Sequence, residues 1–369
     1  MKQLANQGQK MKRITRHALY VALFTAPLTS YAVDLGSFNG VDFNLTLQIN
    51  RALMMADDGN DTETFFVDNI NSDTRFNLSA GTQLENGTKV GGQFEAEYPS
   101  NSSYAVSFDE KSTTPTLSER LMEVWLADDQ WGKVTIGQGD GAANGMMEID
   151  LSGTGVINWA DPSLLGGGIQ FNRTGPTIGA TMNNLDFESR YDRLRYDTPM
   201  LGAFGLAVSE GVKSNSDITE LGLTFNQTLD NGLAIKGGFG YSIEKTEDGN
   251  VIGDEKTVGG SLAVALPNGL NAAIAIGKSS DDDPDNPNSK FKSVTLGYKA
   301  EKHAVSLLYA MADDRAQLND EATAISLGYV FAARNGVDLY ASYKIHSLDR
   351  DDTDFEDISI LTTGIRLKI

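Results

Sequence analysis

From position 41 to the end of the chain, apolar residues recur at every second position, in one segment after another. Leu221, Leu223 and Phe225 alternate with Glu220, Gly222, Thr224 and Asn226, and Val337, Leu339, Ala341, Tyr343 and Ile345 alternate with Asp338, Tyr340, Ser342, Lys344 and His346. Period two is the mark of a β-strand, because successive side chains point to opposite faces. One face here is aliphatic and aromatic; the other is Gly, Ser, Thr, Asn and charge. A water-soluble sandwich also alternates, but it closes on itself within about 100 to 250 residues. In this chain the alternating segments run ~9–12 residues, the length of a tilted membrane-spanning strand, and there are about sixteen of them. They fall at 41–54, 73–84, 89–98, 117–127, 133–138, 189–197, 203–212, 219–229, 233–245, 256–266, 270–279, 291–300, 303–312, 322–332, 337–347 and 358–369.

The connections alternate as well. Tight turns are expected at Glu85-Asn86-Gly87, Asp128 to Gly132, Asp230-Asn231-Gly232, Pro267-Asn268-Gly269, Glu301-Lys302 and Arg334-Asn335-Gly336. Asn-Gly tolerates the positive φ angles of tight hairpins. Between these turns lie longer polar stretches: Asp57 to Asn71, Pro99 to Thr116, Glu247 to Glu255, Ser280 to Ser289, Asp313 to Glu321 and Asp349 to Asp357. The expected fold class is all-β: a transmembrane antiparallel β-barrel with short periplasmic turns and long extracellular loops. Closing the sheet satisfies every backbone donor inside the bilayer.

The N-terminus reads as a secretory signal. Lys10, Lys12, Arg13 and Arg16 form a basic region, Ala18 to Leu28 an apolar one, and Ser30-Tyr31-Ala32 a small-x-small cleavage site. The expected division is therefore a signal peptide at 1–32 and one barrel domain at 33–369. The chain carries 30 Lys+Arg, 50 Asp+Glu and no Cys, for a net charge of −20. Loss of the five Lys/Arg before position 33, with no acid among them, takes that to −25. Without cysteine there is no disulfide framework, no Cys-ligated metal and no thiol nucleophile. The acid excess argues against nucleic acid as a partner, since phosphate backbones require clustered positive charge. No apolar run reaches the ~18–20 residues of a spanning helix.

No catalytic set stands out: there is no Gly-x-Ser-x-Gly elbow and no nucleophile–base pair, and His303 and His346 lie far apart. No cofactor is expected. Asp57-Asp58-Gly59-Asn60-Asp61 and Asp281-Asp282-Asp283-Pro284-Asp285 lack the ligand spacing of a helix-loop-helix calcium site; a looser role for them is divalent bridging to lipopolysaccharide phosphates. Tyr98, Trp125, Trp131, Tyr196, Tyr298, Tyr309, Tyr329 and Phe331 are candidates for interfacial girdles.

On the polar faces, Arg75 is out of phase with Phe76 and Leu78, and Arg193 and Arg195 are out of phase with Leu194 and Tyr196. All three are therefore wall candidates.

Several motifs resemble the trimeric general porins of Gram-negative outer membranes, over essentially the whole mature length. Asp73-Thr74-Arg75-Phe76 with Asn86-Gly87 and Gln93-Phe94-Glu95 looks like that family's second hairpin. Ser118-Glu119-Arg120 followed by Trp131-Gly132-Lys133-Val134-Thr135-Ile136-Gly137-Gln138 resembles its fourth and fifth strands, and Arg190 to Pro199 its sixth strand and turn. Two departures stand out: the chain ends in Ile369 where the family commonly has Phe, and Gln138 stands where it often has Arg.

The resemblance implies a homotrimer in the outer membrane that passes small hydrophilic solutes and ions by passive diffusion. It implies that the stretch from Gly139 to Phe187 is a third loop folded into the lumen, with Asp140, Glu148, Asp150 and Asp161 facing a basic wall. It also adds Arg120 to that wall by position, although Arg120 shares its strand parity with Met122, Val124 and Leu126; Glu123 then falls outward, toward a subunit interface. A mild cation preference follows from the acidic loops and the absent Arg at 138. A substrate-specific channel and a structural or adhesin barrel are the alternatives.

Overall fold

The computed structural model describes residues 32–248, 251–282 and 287–369. The expected signal segment up to position 31 lies outside the described residues. Eighteen strands form one antiparallel sheet. In chain order they are β1 (Val33–Phe38), β2 (Val41–Asp57), β3 (Thr62–Asp68), β4 (Arg75–Gln83), β5 (Lys89–Glu97), β6 (Ser118–Asp128), β7 (Gly132–Asp140), β8 (Arg190–Asp197) and β9 (Phe204–Lys213). They continue as β10 (Ser216–Thr228), β11 (Ala234–Asp248), β12 (Val251–Ala265), β13 (Leu270–Asp281), β14 (Lys290–Ala300), β15 (His303–Asp313), β16 (Glu321–Arg334), β17 (Val337–Asp349) and β18 (Ile358–Lys368).

Sixteen of them close the barrel. The seam is β18 on β2, pairing Lys368 with Gln48 through Ser359 with Asp57. Reciprocal backbone hydrogen bonds of 2.8 Å between Leu47 and Ile369 fasten its end, so the terminal Ile serves the closure directly. The other two strands are additions along β2. Exposed β1 prolongs the β18 edge by pairing with Val41 to Leu45. The other edge of β2 takes β4 on Asp42 to Gln48 and β3 on Arg51 to Asp57.

All sixteen expected segments are strands. The expected loop at Asp57 to Asn71 contains β3. The expected loop at Glu247 to Glu255 is mostly strand, because β11 and β12 pair as far as Asp248 with Val251.

The outward faces carry the apolar band. Leu194, Val208, Leu223, Ile274, Leu296, Leu307, Ile325 and Leu361 are each 38–56% exposed, as a lipid-facing belt requires. Trp131, Tyr196, Tyr298, Tyr309 and Tyr329 belong to that surface. Trp125 does not: it lies on the lumen side over Gly91, where a Cβ would strike its ring at 2.3 Å, and Lys133 Nζ sits 5.3 Å from the ring centroid.

The core is inside the barrel. Segment 141–189, between β7 and β8, enters the lumen and follows the inner wall. Ala142 N donates to Ser209 Oγ of β9 (2.8 Å), Ser261 Oγ of β12 donates to Met146 O (2.6 Å), and Thr154 Oγ1 meets Ser306 Oγ of β15 (2.6 Å). Lys344 Nζ of β17 then donates to Pro162 O (3.2 Å). The wall beneath is lined by small residues, which is what admits a second layer. At Gly240 an added Cβ would lie 2.4 Å from Phe187, and at Gly277 2.7 Å from Met147. Ile157, Leu165, Ile169, Phe171 and Ile178 of the loop are fully buried in one cluster with Ala310, Ala324 and Ile360 of the wall. Burying such side chains stabilises by roughly 1.5–3 kcal/mol each, which offsets the entropy of ordering so long a loop.

Candidate pore constriction

The inner wall opposite the packed part of the loop carries the charge. Between β3 and β4 the chain leaves the ladder at 69–74, and Asn50 fills the gap, its amide donating to Ser72 O at 2.8 Å. Gln48 Nε2 donates to Asp73 O at 2.6 Å. This break sets the Asp73 carboxylate beside the wall arginines.

Arg75 Nη1 lies 2.6 Å from Asp73 and its Nε 3.7 Å from Glu95. Arg120 reaches three carboxylates: Asp73 at 2.8 Å, Glu95 at 2.7 Å and Glu97 at 2.6 Å. A bulge accounts for its direction. The β5–β6 register passes from Glu95↔Leu121 to Ala96↔Glu119, leaving Arg120 as the extra residue. An extra residue re-aims side chains across the break. Arg120 therefore points inward while Met122, Val124 and Leu126 remain on the lipid face.

The same bulge corrects the expectation for Glu123, which is buried inside the barrel and not on the outer surface. It accepts from Arg193 Nη2 and from Gln93 Nε2 (2.7 Å). Asn77 links Gln93 (3.2 Å) to Glu95 (3.4 Å), so one polar network runs from β4 to β8. Arg193 also donates to the backbone oxygens of Gly137 (2.6 Å) and Asp140 (2.9 Å), and Arg195 to Asp197 (2.8 Å) and Gly141 O (2.7 Å). Arg366 pairs with Asp338 at 2.6 Å and extends the lining to β17 and β18.

The loop acids are placed differently from expectation. Asp140 ends β7, its carboxylate 3.6 Å from Arg190 at the mouth of the loop. Glu148 accepts from Asn184 (2.8 Å), Asp150 from the Ser152 amide (3.0 Å), and Asp161 from the Ser163 amide (2.9 Å). Among the described residues none of these three makes an ion pair with Arg75, Arg120 or Arg193. Those arginines are met by carboxylates of the wall and of the break at 69–74, while these loop acids take partners within the loop. Asp186, which the sequence did not single out, takes the amides of Gly145 (2.6 Å) and Met147 (2.8 Å). Burial raises the carboxyls of Glu148, Asp150 and Asp161 above their ordinary range. Burial, with the Glu148 charge next, raises Asp186 well above its own.

Gln138 pairs with Met122 and Asp192 in the phase of Ile136, which is 57% exposed. It lies on the outer face, so an Arg there would not line the lumen. The acidic segment after β2 also has a partner. Arg173 of the loop binds the Asp58 carboxylate, lies 2.9 Å from Asp61, and stacks 3.9 Å above the Phe108 ring. Among the described residues no cluster of three or more His, Asp or Glu could hold a metal ion. Asp283 and Asp285, of the second acidic stretch, lie outside the described residues.

A closed sixteen-stranded antiparallel barrel with an apolar exterior, a charged inner wall and a loop folded into its lumen defines an outer-membrane channel. Residues 18–351 match the family model described as Gram-negative porin, and the chain belongs to that family. Its place is the outer membrane, and its function is passive diffusion of small hydrophilic solutes and ions.

Solved structures share the fold at low identity. The anion-selective porin of Comamonas acidovorans superposes with a TM-score of 0.66 at 15% identity, covering 89% of this chain and 100% of that one. OmpT of Vibrio cholerae in its trimer form gives 0.59 at 12%, covering 90% and 100%. The outer membrane channel DcaP of Acinetobacter baumannii gives 0.57 at 14%, covering 91% and 100%. A search among curated proteins gave no match. Family and fold point to a channel rather than an enzyme.

Proposed function

We propose that this porin is a homotrimeric, weakly cation-preferring diffusion channel without catalytic activity. Its constriction is formed by Arg75, Arg120, Arg193 and Arg195 with the carboxylates that neutralise them. The observation that carries this reading is Arg120, a single guanidinium set among Asp73, Glu95 and Glu97. With Arg75 included, two cations stand against three anions at the break in the wall. Such a filter carries no excess of positive charge, and rings of fixed charge set the sign of the preferred ion. The acid excess of the whole chain acts in the same direction. Sieving falls to segment 141–189, whose buried carboxyls serve its own fold. The Vibrio cholerae relative's trimer form supports the oligomeric part. At 15% identity the anion selectivity of the Comamonas protein does not transfer. Zero-current potentials across a planar bilayer in a salt gradient test the proposal: a reversal of the sign expected for cations supports it, and anion preference overturns it. A current that saturates with one solute would point instead to a substrate-specific channel.

A further inference from the structure

On five strands of the barrel the outward face turns acidic toward the extracellular rim: Asp192 on β8, Glu210 on β9, Asp217 on β10, Glu321 on β16 and Asp349 on β17. Four adjacent strands differ. Along β13 the outward positions read Ile274, Ile276, Lys278, and along β14 from below they read Leu296, Val294, Lys292, Lys290. The switch from lipid-facing aliphatics to ammonium groups is made within one residue pair. Lys256 on β12, with Asp254 of the same face 3.8 Å away, and Lys245 on β11 continue the row. A chain with net charge −20 thus concentrates lysines on one sector of its rim.

Two of these lysines are unusual partners. Lys278 and Lys290 stand directly opposite each other across the β13–β14 ladder, and both are exposed. Like charges in opposed positions are destabilising unless something lies between them. Among the described residues neither makes an ion pair, whereas Lys256 lies 3.0 Å from Asp282 and Lys292 3.7 Å from Asp313. Directly below, Gly260 leaves a gap on the lipid face between its ladder partners Phe239 and Ile276. The result is a groove of about 480 Å³, lined by Phe239, Val258, Ile276 and the three lysines Lys278, Lys290 and Lys292. An apolar groove at acyl-chain depth below a cationic cluster at headgroup depth matches a phosphorylated lipid of the outer leaflet in both charge and position.

We infer that Lys278, Lys290 and Lys292 bind the phosphate of an outer-leaflet glycolipid, with an acyl chain lying against Phe239, Val258 and Ile276. This differs from divalent bridging at acidic loops, since here ammonium groups meet the phosphate directly. It rests on the outer-membrane reading but not on the proposed selectivity.

The test is native mass spectrometry and equilibrium binding of the purified full chain in detergent, with diphosphoryl lipid A and its dephosphorylated form as probes and chelator present. Wild type should retain the diphosphoryl lipid. Lys278→Gln/Lys290→Gln/Lys292→Gln should bind it about tenfold or more weakly, and Lys302→Gln, on a periplasmic turn, should match wild type. A Lys→Arg triple should keep the binding, which separates lost charge from lost folding. Equal binding of diphosphoryl lipid by wild type and the Gln triple overturns the inference. So does equal binding of the two lipid forms by wild type, or full displacement by millimolar inorganic phosphate, which would mark a free-phosphate site. Single-channel conductance of the Gln triple should be unchanged; its loss alongside lipid binding would place the fault in barrel assembly and overturn a separate site.

Discussion

Arg193 and Glu123 face each other on the inner wall, on strands separated by β7, with their side chains only 3% and 6% exposed. Two further acceptors on β7 and one donor on β5 complete their hydrogen bonding. A pair this buried is poor evidence of added stability, but leaving one member alone is costly. Arg193→Gln or Glu123→Gln should lower unfolding stability by ~3–5 kcal/mol, and the double replacement by clearly less than the sum of the two. Denaturant unfolding of refolded protein followed by tryptophan fluorescence measures both. Additive losses would show the two side chains to be independent.

Arg75 is the more accessible of the first arginine pair, with a side chain 28% exposed against 16% for Arg120. Arg75→Ser should shift the reversal potential further toward cations and widen the passage slightly. Arg120→Gln should shift it more, because it removes the guanidinium that Asp73, Glu95 and Glu97 share and leaves Arg75 against three carboxylates. Unchanged conductance and selectivity in both variants would remove this cluster from the constriction.

The barrel was legible because lipid on one side and water or a packed loop on the other impose period two on every long strand. What local alternation cannot show is where the phase breaks. Strict alternation puts Glu123 on the outer face once Arg120 points inward, and both point inward only through the bulge at Arg120. The short strand β3 was hidden for a related reason: β3 and β4 share one edge of β2, interrupted at 69–74. The partners of the arginines were partly within reach. Counting back from the Glu85-Asn86-Gly87 turn sets Arg75 opposite Glu97, as observed, and Asp73 shares its parity. The loop's apolar core was out of reach, since Ile157, Ile169 and Ile178 follow no period and pair with wall alanines from distant strands.

Glu188, at the return of the loop to the wall, is pushed up to about 7 by burial and then by the Glu244 charge, against the opposing pull of Lys213. Its carboxyl therefore holds a proton in the docked loop over a range where a free one, near 4.5, has lost it. The share of docking that Glu188 supplies is full below about 4.5, weakens as pH rises from there to about 7, and is constant beyond. Limited proteolysis should cut 141–189 faster at pH 8 than at pH 5 with a pH-insensitive protease, and Glu188→Gln should reduce that difference. A wild-type cleavage rate independent of pH would overturn the assignment.

Arg173 fastens the far turn of the loop to the segment after β2 through Asp58 and Asp61, and to the β5–β6 connection through the Phe108 ring. A cation over an aromatic ring contributes about 0.5–2 kcal/mol, and Asp58 is fully buried and depends on this guanidinium. Arg173→Ser should raise proteolytic cutting near positions 173–176 and increase current noise, with the barrel's heat resistance kept. Chelator should have little effect on this contact, since Arg173 and not a bridging ion holds the acids.

The seat of the loop supplies the most direct test of its sieving role. Gly277 faces the lumen beneath Met147 and Leu185, and the atoms a side chain there would first meet belong to those two loop residues, at 2.7 Å and 3.6 Å. Gly240 faces Phe187 at 2.4 Å and Ala143 at 3.0 Å in the same way. Neither glycine holds a left-handed φ, so a larger residue is compatible with the strand itself. Gly240→Leu/Gly277→Leu therefore acts on the loop and spares the wall, and overpacking of this kind costs typically 1–3 kcal/mol at each site. Displacing the loop should enlarge the passage: single-channel conductance should rise and larger neutral sugars should enter proteoliposomes faster. A properly closed barrel with wild-type conductance and wild-type exclusion would show that segment 141–189 does not set the size limit.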